Sequence, residues 1–402
     1  MPQTLLARDP QDVVDAVTAA GADGRTLEIR GTGSLKALGR PVVADTVLDL
    51  SALTGITLYE PEELVLSARC GTPRRDIEDM LAQCGQMLAF EPADLAPLFG
   101  GAARAGSLGG LVATNLAGPR RISAGAVRDH TLGLKAVSGR GERFKSGGRV
   151  VKNVTGYDLP RLFAGAFGTL GVATEITLKV LPRPETQETV RLEGLAPEAA
   201  AAAMSAALGS SCEVSGAAYA PAPVAARLPG CPDTATVLLR LEGFGPSVRA
   251  RRDMLARVLI PFGPCTVMHE TPSATLWSAV RDVAPFVGTP ERALWRLSTA
   301  PMVGPPLAAR LCATLGAEAF CDWGGGVVWL SLPGERPEAE TVRTALAAHG
   351  GHATLLRATA EERAHTAVFH PLDGPLAALT ARVKSSFDPA GLLNRGRMHE
   401  GW

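Results

Sequence analysis

Three clusters of glycine, at residues 31–33, 106–110 and 165–171, each adjoin a strand-like or helix-like segment. Glycine inside a regular element costs roughly 0.5–1 kcal/mol relative to alanine. It is kept where the chain needs φ > 0 or where something must approach the backbone closely. The run "GAFGTLGVATEITLKV", residues 165–180, states the problem most sharply. Gly165, Gly168 and Gly171 precede a segment in which Val172, Thr174, Ile176, Leu178 and Val180 share one side. Ala173, Glu175, Thr177 and Lys179 take the other, the period of a half-buried strand. A single such cluster reads as an ordinary turn. Three of them offer bare backbone N–H groups of the kind that satisfy diphosphate oxygens.

The short nucleotide motifs do not account for these loops. "GRGERFKS" at 139–146 resembles a P-loop, but Phe144 stands where the glycine before the lysine belongs. It also makes a good hairpin turn. "GTGSLKALG" at 31–39 has Lys36 in place of the third glycine of a dinucleotide fingerprint, and no βαβ unit with a distant acidic residue follows.

Composition narrows the class. The chain has 402 residues, 46% hydrophobic and 20% charged, which suits a globular protein of two domains. Forty Lys plus Arg balance forty Asp plus Glu, so charge points neither to nucleic acid nor to an anionic membrane. No stretch reads as a signal peptide or a membrane span, and a cytoplasmic location is expected. The seven cysteines (70, 84, 212, 231, 265, 312 and 321) include no Cys-x-x-Cys pair. They are read as free thiols, with no metal or iron–sulfur site.

Along the chain, "RTLEIR" (25–30), "TVLDLS" (46–51) and "GITLYEPEELVLSARCG" (55–71) read as strands, the last a hairpin turning at 60–63. A helix follows, with Thr72 as expected cap, Pro73 at its first position and Gly85 closing it. Ser107 is placed to cap a short helix in "GSLGGLVATNLAG", and 129–148 reads as a hairpin turning at Gly139–Gly141. Pro182 and Pro184 end the strand that starts at Val172 and mark a boundary. Beyond it strands alternate with helices without a visible sequence repeat, the texture of an α+β domain.

The segments "EIRGTGSLKALG", "GSLGGLVATNLAGPRRISAGAVRDHTLGLKAV" and "VVKNVTGYDLPRLFAGAFGTLGVATEITLKVLPRP" resemble the FAD-binding domain of the vanillyl-alcohol oxidase/p-cresol methylhydroxylase superfamily. Within it they are similar to the smaller, FAD-binding E-type subunits of bacterial glycolate oxidases. The tail "SSFDPAGLLNRGRM" agrees. The fold implied is α+β: a two-part PCMH-type FAD-binding domain over 1–187, an α+β ferredoxin-like cap over 188–377, and a C-terminal segment, 378–402, returning to the FAD domain. The resemblance implies that Arg30, Gly31, Thr32, Gly33, Ser34 and Leu35 form the pyrophosphate loop. It implies that Gly106, Ser107, Gly109 and Gly110 pass along the diphosphate and flavin, with Thr114 and Asn115 nearby. Gly125 and Arg128 would lie close to the cofactor, and Gly171 and Val172 would meet the ADP portion. On this reading the glycines of 165–171 let the backbone bend against the dinucleotide, and valine at Gly109 would empty the site more than unfold the protein.

Two departures from the superfamily pattern matter. Relatives that hold flavin covalently use a histidine in the pyrophosphate loop, where this chain has Ser34, so FAD is expected to be non-covalent. His130, near the motifs, is given a structural role. The 2-hydroxy-acid dehydrogenases carry a His-x-Gly-Asp-x-Asn motif for metal and substrate. None of His269, His349, His352, His365, His370 and His399 is followed by Gly-Asp, and "HGGH" at 349–352 reads as a surface turn. Asn394-Arg395-Gly396 also replaces the Asn-Pro-Gly usual in the tail. The resemblance therefore implies an FAD-binding subunit of a multi-subunit glycolate (2-hydroxy-acid) oxidase or dehydrogenase. Its implied partners are a catalytic flavoprotein subunit and an iron–sulfur subunit, with any membrane association made through them. A stand-alone FAD oxidase or dehydrogenase and a non-catalytic scaffold are the alternatives.

Overall fold

The computed structural model describes residues 2–150 and 156–402. Part of the quoted "VVKNVTGYDL" motif, residues 151–155, lies outside them. The chain divides into two compact units: 1–116 with 125–182 and 371–402, and 117–124 with 183–370.

The first unit opens with a parallel sheet. β1 (Gln3–Leu6), β2 (Leu27–Arg30) and β3 (Thr46–Asp49) lie in the order β1-β3-β2. The helix Pro10–Asp23 makes the crossover from β1. It starts cleanly because Asp9 accepts from Gln11 and Asp12 while Asp12 reaches back to the Asp9 N–H. It stops at Gly24, which takes φ +66°. Next come β4 (Ile56–Glu60), β5 (Val65–Arg69), the two-residue β6 (Gln86–Met87), β7 (Thr131–Val137), β8 (Arg143–Gly147), β9 (Val172–Lys179) and β10 (Leu181–Pro182). β4, β5, β9, β7 and β8 make an antiparallel sheet in that order, and β10 pairs β6. On β9 the expected face is the buried one: Val172, Ile176 and Leu178 are at most 1% exposed.

One expected cap differs. The helix Arg74–Gln83 has no side-chain cap. Thr72 Oγ1 instead accepts the Gly55 N–H at 3.0 Å and ties the loop after β5 to the loop before β4. Ser107 does cap its helix, accepting from Gly110.

The second unit holds one antiparallel sheet of eight strands: β11 (Thr186–Glu193), β12 (Gly216–Ala220), β13 (Thr236–Gly243), β14 (Cys265–His269), β15 (Leu294–Ser298), β16 (Glu318–Asp322), β17 (Val327–Ser331) and β18 (His352–Arg357). Their order is β14-β11-β13-β12-β16-β17-β15-β18. Each half is a βαββαβ unit of ferredoxin-like order. The helices Pro197–Leu208 and Gly245–Leu259 serve the first half, Gly304–Leu315 and Ala339–Ala347 the second. The halves meet edge to edge, β12 against β16, in the pair Tyr219↔Cys321. The repeat that the sequence does not display is thus topological. Met204, Leu255, Leu311 and Leu346 from the four helices pack on Leu239, Trp295 and Leu330 of the sheet.

The division falls at 182/183 and 370/371, rather than at 187/188 and 377/378. The reason is β11, whose whole length pairs β13 in the second sheet, so the chain has left the first unit once it leaves β10. Residues 117–124 belong to the second unit because Arg120 pairs with Glu242 at 2.7 Å and the Gly118 carbonyl accepts the Trp323 indole N–H at 3.0 Å.

Candidate functional site

A cleft of about 1310 Å³, the solvent at its mouth included, opens within the first unit. Arg30, Gly31, Thr32, Gly33, Ser34, Leu35, Gly106, Ser107, Gly109, Gly110, Thr114 and Gly171 all line it. Three segments far apart in sequence thus converge. Asn115, Gly125, Arg128 and Val172 are outside the lining. Asn115 ends its helix at φ +50°, and its Oδ1 accepts the Arg128 N–H at 3.0 Å. Gly125 takes φ +87° beside Asp129. Val172 is fully buried in β9 opposite Val137.

The glycines divide by what a side chain would strike. A Cβ at Gly31 would stand 2.4 Å from Ser107 Oγ, so this glycine lets two cleft segments touch. A Cβ at Gly109 would meet Cys70 Cβ and its carbonyl at 3.0 Å. Gly109 therefore serves protein packing, not room for a ligand, against expectation. In the 165–171 run, Gly165 and Gly168 adopt φ +90° and +70°, and a Cβ at Gly171 would meet the Phe163 ring at 2.9 Å. Turn geometry and close packing explain that run without a ligand. Gly106 is different: its Cβ would find nothing nearer than Ser34 Oγ at 3.8 Å, in the space of the cleft.

Polar groups in the cleft are left waiting for partners. Arg30 Nε is buried with no acceptor among the described residues, while its Nη2 holds Glu28 at 2.8 Å. Lys36 donates to the Gly33 carbonyl, but the N–H groups of Thr32, Gly33 and Ser34 find no acceptor among the described residues. A donor buried without a partner, as Arg30 Nε is, costs about 1–3 kcal/mol. A diphosphate supplies the acceptors that this loop lacks. Leu50, Leu95, Leu111, Val112 and Phe163 give the cleft apolar walls suited to flat aromatic rings. The residues therefore fit FAD.

Several lining residues escaped sequence reasoning. Cys70, Arg74 and Asp94 sit in ordinary-looking segments and reach the cleft by tertiary packing. Burial pushes the Cys70 thiol up to about 12, so it is protonated and inert at neutral pH. Asn394 and Arg397 line the cleft from the tail despite its departure from the usual Asn-Pro-Gly. Asn394 Nδ2 donates to the Phe167 carbonyl at 2.7 Å, and Arg397 Nη1 donates to the Lys36 carbonyl at 3.2 Å. Lys384 donates to the Thr169 carbonyl at 2.6 Å and to Asp388 at 2.5 Å, while Asp388 accepts the Leu392 and Leu393 N–H groups. The tail thereby fastens the Arg30 loop to the glycine turn before β9. His130 is buried against Phe90, its Nδ1 3.3 Å from the Lys179 carbonyl, a structural role as expected. Among the described residues no group of three or more His, Cys, Asp or Glu is placed to hold a metal ion.

Residues 2–147 match the family model described as an FAD binding domain. Over 394 residues, 97% of each chain, the protein is 37% identical to the glycolate oxidase subunit GlcE of Escherichia coli. The chain belongs to the GlcE family.

The rest of the comparisons agree. The glycolate oxidase subunit GlcD of Bacillus subtilis is 29% identical over 47% of this chain and 39% of its own length. The GlcE-family fold extends to p-cresol methylhydroxylase, solved with substrate bound, at TM-score 0.74 and 15% identity over 99% of this chain and 88% of that one. Alkyldihydroxyacetonephosphate synthase gives 0.66 and 15% over 97% and 75%. The fold is thus the PCMH-type α+β fold of the FAD-binding superfamily. The protein is an FAD-binding member of a family of FAD-linked oxidoreductases. No described helix is long and apolar enough to cross a membrane.

Proposed function

We propose that this chain is the FAD-binding subunit of a multi-subunit glycolate (2-hydroxy-acid) oxidase, acting with a catalytic flavoprotein subunit and an iron–sulfur subunit. In this reading the first unit is the FAD domain, closed by the C-terminal segment, and the second unit is its cap. The observation that carries it is the Arg30–Leu35 loop, which lines the cleft and in which Arg30 Nε is buried with no acceptor among the described residues. Arg30 Nε and the N–H groups of Thr32, Gly33 and Ser34 hold the diphosphate oxygens. Gly106 leaves room for the dinucleotide, and the leucine and phenylalanine walls exclude water from the rings. Bound FAD supplies a two-electron acceptor for hydride. Ser34 offers no nitrogen for a covalent flavin linkage, so acid precipitation of the holoprotein is expected to release all of the yellow colour.

The described residues lining the cleft include no histidine. Taking hydride from a 2-hydroxy acid needs a base on the hydroxyl, worth roughly 10²–10⁴ in rate. The chain alone is therefore expected not to turn over. Anaerobic mixing of the flavin-loaded chain with glycolate and with D-lactate, followed by flavin absorbance, tests this. Unchanged absorbance without partners and bleaching with them is the expected result. Prompt bleaching of the isolated chain makes it a stand-alone enzyme, and a colourless chain that takes up no FAD makes it a scaffold. Cell fractionation, with and without the partner subunits, tests a cytoplasmic location with membrane association only through them.

A further inference from the structure

The two halves of the second sheet meet at one register position, Tyr219↔Cys321. On their other sides the same strands are fully paired, β12 with β13 from Gly216 to Ala220 and β16 with β17 from Glu318 to Asp322. β12 and β16 therefore part after a single contact, and a second cleft opens at this seam. Tyr219, Ala319, Phe320 and Cys321 form its strand side. Pro197, Val224 and Pro305 reach it from the helices Pro197–Leu208, Ala222–Ala225 and Gly304–Leu315. Elements of one unit thus enclose it, and the small side chains of Ala308, Ala309 and Ala317 keep it from filling. Protein interiors hold few voids larger than a water molecule, so a cleft in the middle of a sheet calls for an occupant.

The walls are poor in polar groups. Pro197, Pro221, Pro223 and Pro305 carry no N–H. The helix Gly304–Leu315 starts with its donors already used: Gly304 donates to Ala300, Pro305 and Pro306 have none to give, and Leu307 donates to Val303. Among the described residues lining the cleft Glu318 alone is charged, and it holds Arg227 at 2.9 Å and Arg292 at 2.8 Å. The Tyr219 hydroxyl donates to the Leu195 carbonyl at 3.1 Å. Burial pushes the Cys312 thiol up to about 11 and raises the Cys321 thiol as well, so both stay protonated at neutral pH. A charged ligand would lose its hydration here and gain no partner. The apolar surface is also recessed. Tyr219, Val224 and Phe320 are at most 3% exposed, and none of the large apolar side chains that project into solvent among the described residues lines the cleft. A protein partner docks on projecting apolar surface, whereas a small molecule enters a recess.

We propose that the cleft at the β12–β16 seam binds a small, uncharged, apolar molecule. Burial of apolar surface supplies the affinity, since the walls offer no unpaired charge. Cys312, on the helix Gly304–Leu315, lines the same space and reports on its occupancy. The site lies wholly within the second unit and does not depend on the FAD reading.

Saturation-transfer NMR on the full-length chain tests it, with toluene as the probe and benzoate and benzylamine as charged rings of similar size. The cleft predicts saturable binding of toluene and none of either charged ring. Cys312→Trp places an indole in the cleft and should weaken toluene at least about tenfold, the scale of one lost apolar burial. Cys312→Leu, a smaller filling, takes its place if the tryptophan variant fails to fold. A second readout is local. Bound toluene should slow the labelling of Cys312 by N-ethylmaleimide, followed by mass spectrometry of its peptide, while the exposed Cys84 labels at its usual rate. Toluene binding unchanged in the folded Cys312 variant overturns the proposal, as does Cys312 labelling that ignores toluene. Benzoate or benzylamine bound as tightly as toluene, and lost with it in the variant, overturns the uncharged assignment. Protection of Cys312 that rises with protein concentration and not with toluene gives the cleft to a second copy of the chain and overturns the proposal too. Labelling at Cys312 reads the second unit alone, so failure of the FAD reading leaves it unaffected.

Discussion

Asn394 Oδ1 accepts the Ile29 backbone N–H at 2.8 Å across 365 positions of sequence. The same side chain donates to the Phe167 carbonyl, so one amide joins β2, the glycine turn and the tail at the edge of the cleft. Asn394 holds φ +42°, a conformation that asparagine tolerates better than most residues.

Asn394→Ala strips partners from a donor and an acceptor together. The expected loss is about 1–3 kcal/mol for each group left unpaired. Because the anchored strand leads into the Arg30 loop, FAD affinity should fall along with stability. Fluorescence titration of the apoprotein with FAD, beside urea unfolding of the same sample, checks both. Unchanged affinity would detach the tail from the cofactor site.

Lys384→Met removes a buried ammonium that binds two carbonyls and Asp388. Breaking such a pair from one side costs about 3–5 kcal/mol. The double variant Lys384→Met with Asp388→Asn should recover part of this, since it removes the orphaned charge. Thermal unfolding of these two variants and of Asp388→Asn alone measures the coupling, and simple additivity would show that the pair acts as two independent groups.

Gly106→Val and Gly109→Val should separate cofactor space from packing. Valine at 109 meets the Cys70 backbone, and overpacking of this kind costs about 1–3 kcal/mol. Valine at 106 enters open cleft, so the apoprotein should unfold at nearly the wild-type urea concentration while FAD binding weakens at least about tenfold. Equal unfolding midpoints for both variants would erase the distinction.

Glu242 sets an acid limit on the second unit. Burial pushes its pKa up, but Arg240, then Arg120 and Ser215, overcome this and hold the carboxyl near about 2, down from 4.5. The folded value lies below the unfolded one. The stabilisation is therefore complete above about 4.5 and is lost as pH falls towards about 2. At roughly 1.4 kcal/mol per pKa unit this is on the order of 3 kcal/mol. Glu242→Gln should lower stability at pH 7 and flatten its decline between pH 4.5 and 2. Urea midpoints at pH 7, 4 and 3 provide the comparison, and a mutant as acid-sensitive as the wild type would refute the assignment.

The glycine clusters, the strand period of β9 and the hairpins were readable because each is a local pattern. Ser107 and Gly31 could be placed at one site, but not their contact, which only the fold creates. Gly109 misled because a glycine that makes room for Cys70 looks the same in sequence as one that makes room for a ligand. Asp94 and Arg74 carried no local signature, since their roles arise from packing over long sequence distances, and Asn394 was visible in the tail pattern while its partners Ile29 and Phe167 were not. The doubled βαββαβ order of the second unit was hidden for a related reason: strand order is kept by hydrophobic period alone, which many unrelated sequences satisfy.

The first unit needs residues from both ends of the chain, with the whole of the second sheet encoded between them. During synthesis its parallel and antiparallel sheets emerge before the second unit, while Lys384 and Asn394 are made only after that unit. The clasp around the Arg30 loop therefore closes only after the second unit has been made. Flavin capture becomes a late event in synthesis, and a stop before Lys384 acts as a lesion in the cofactor site although a whole folded unit separates it in sequence from the loop that it disturbs.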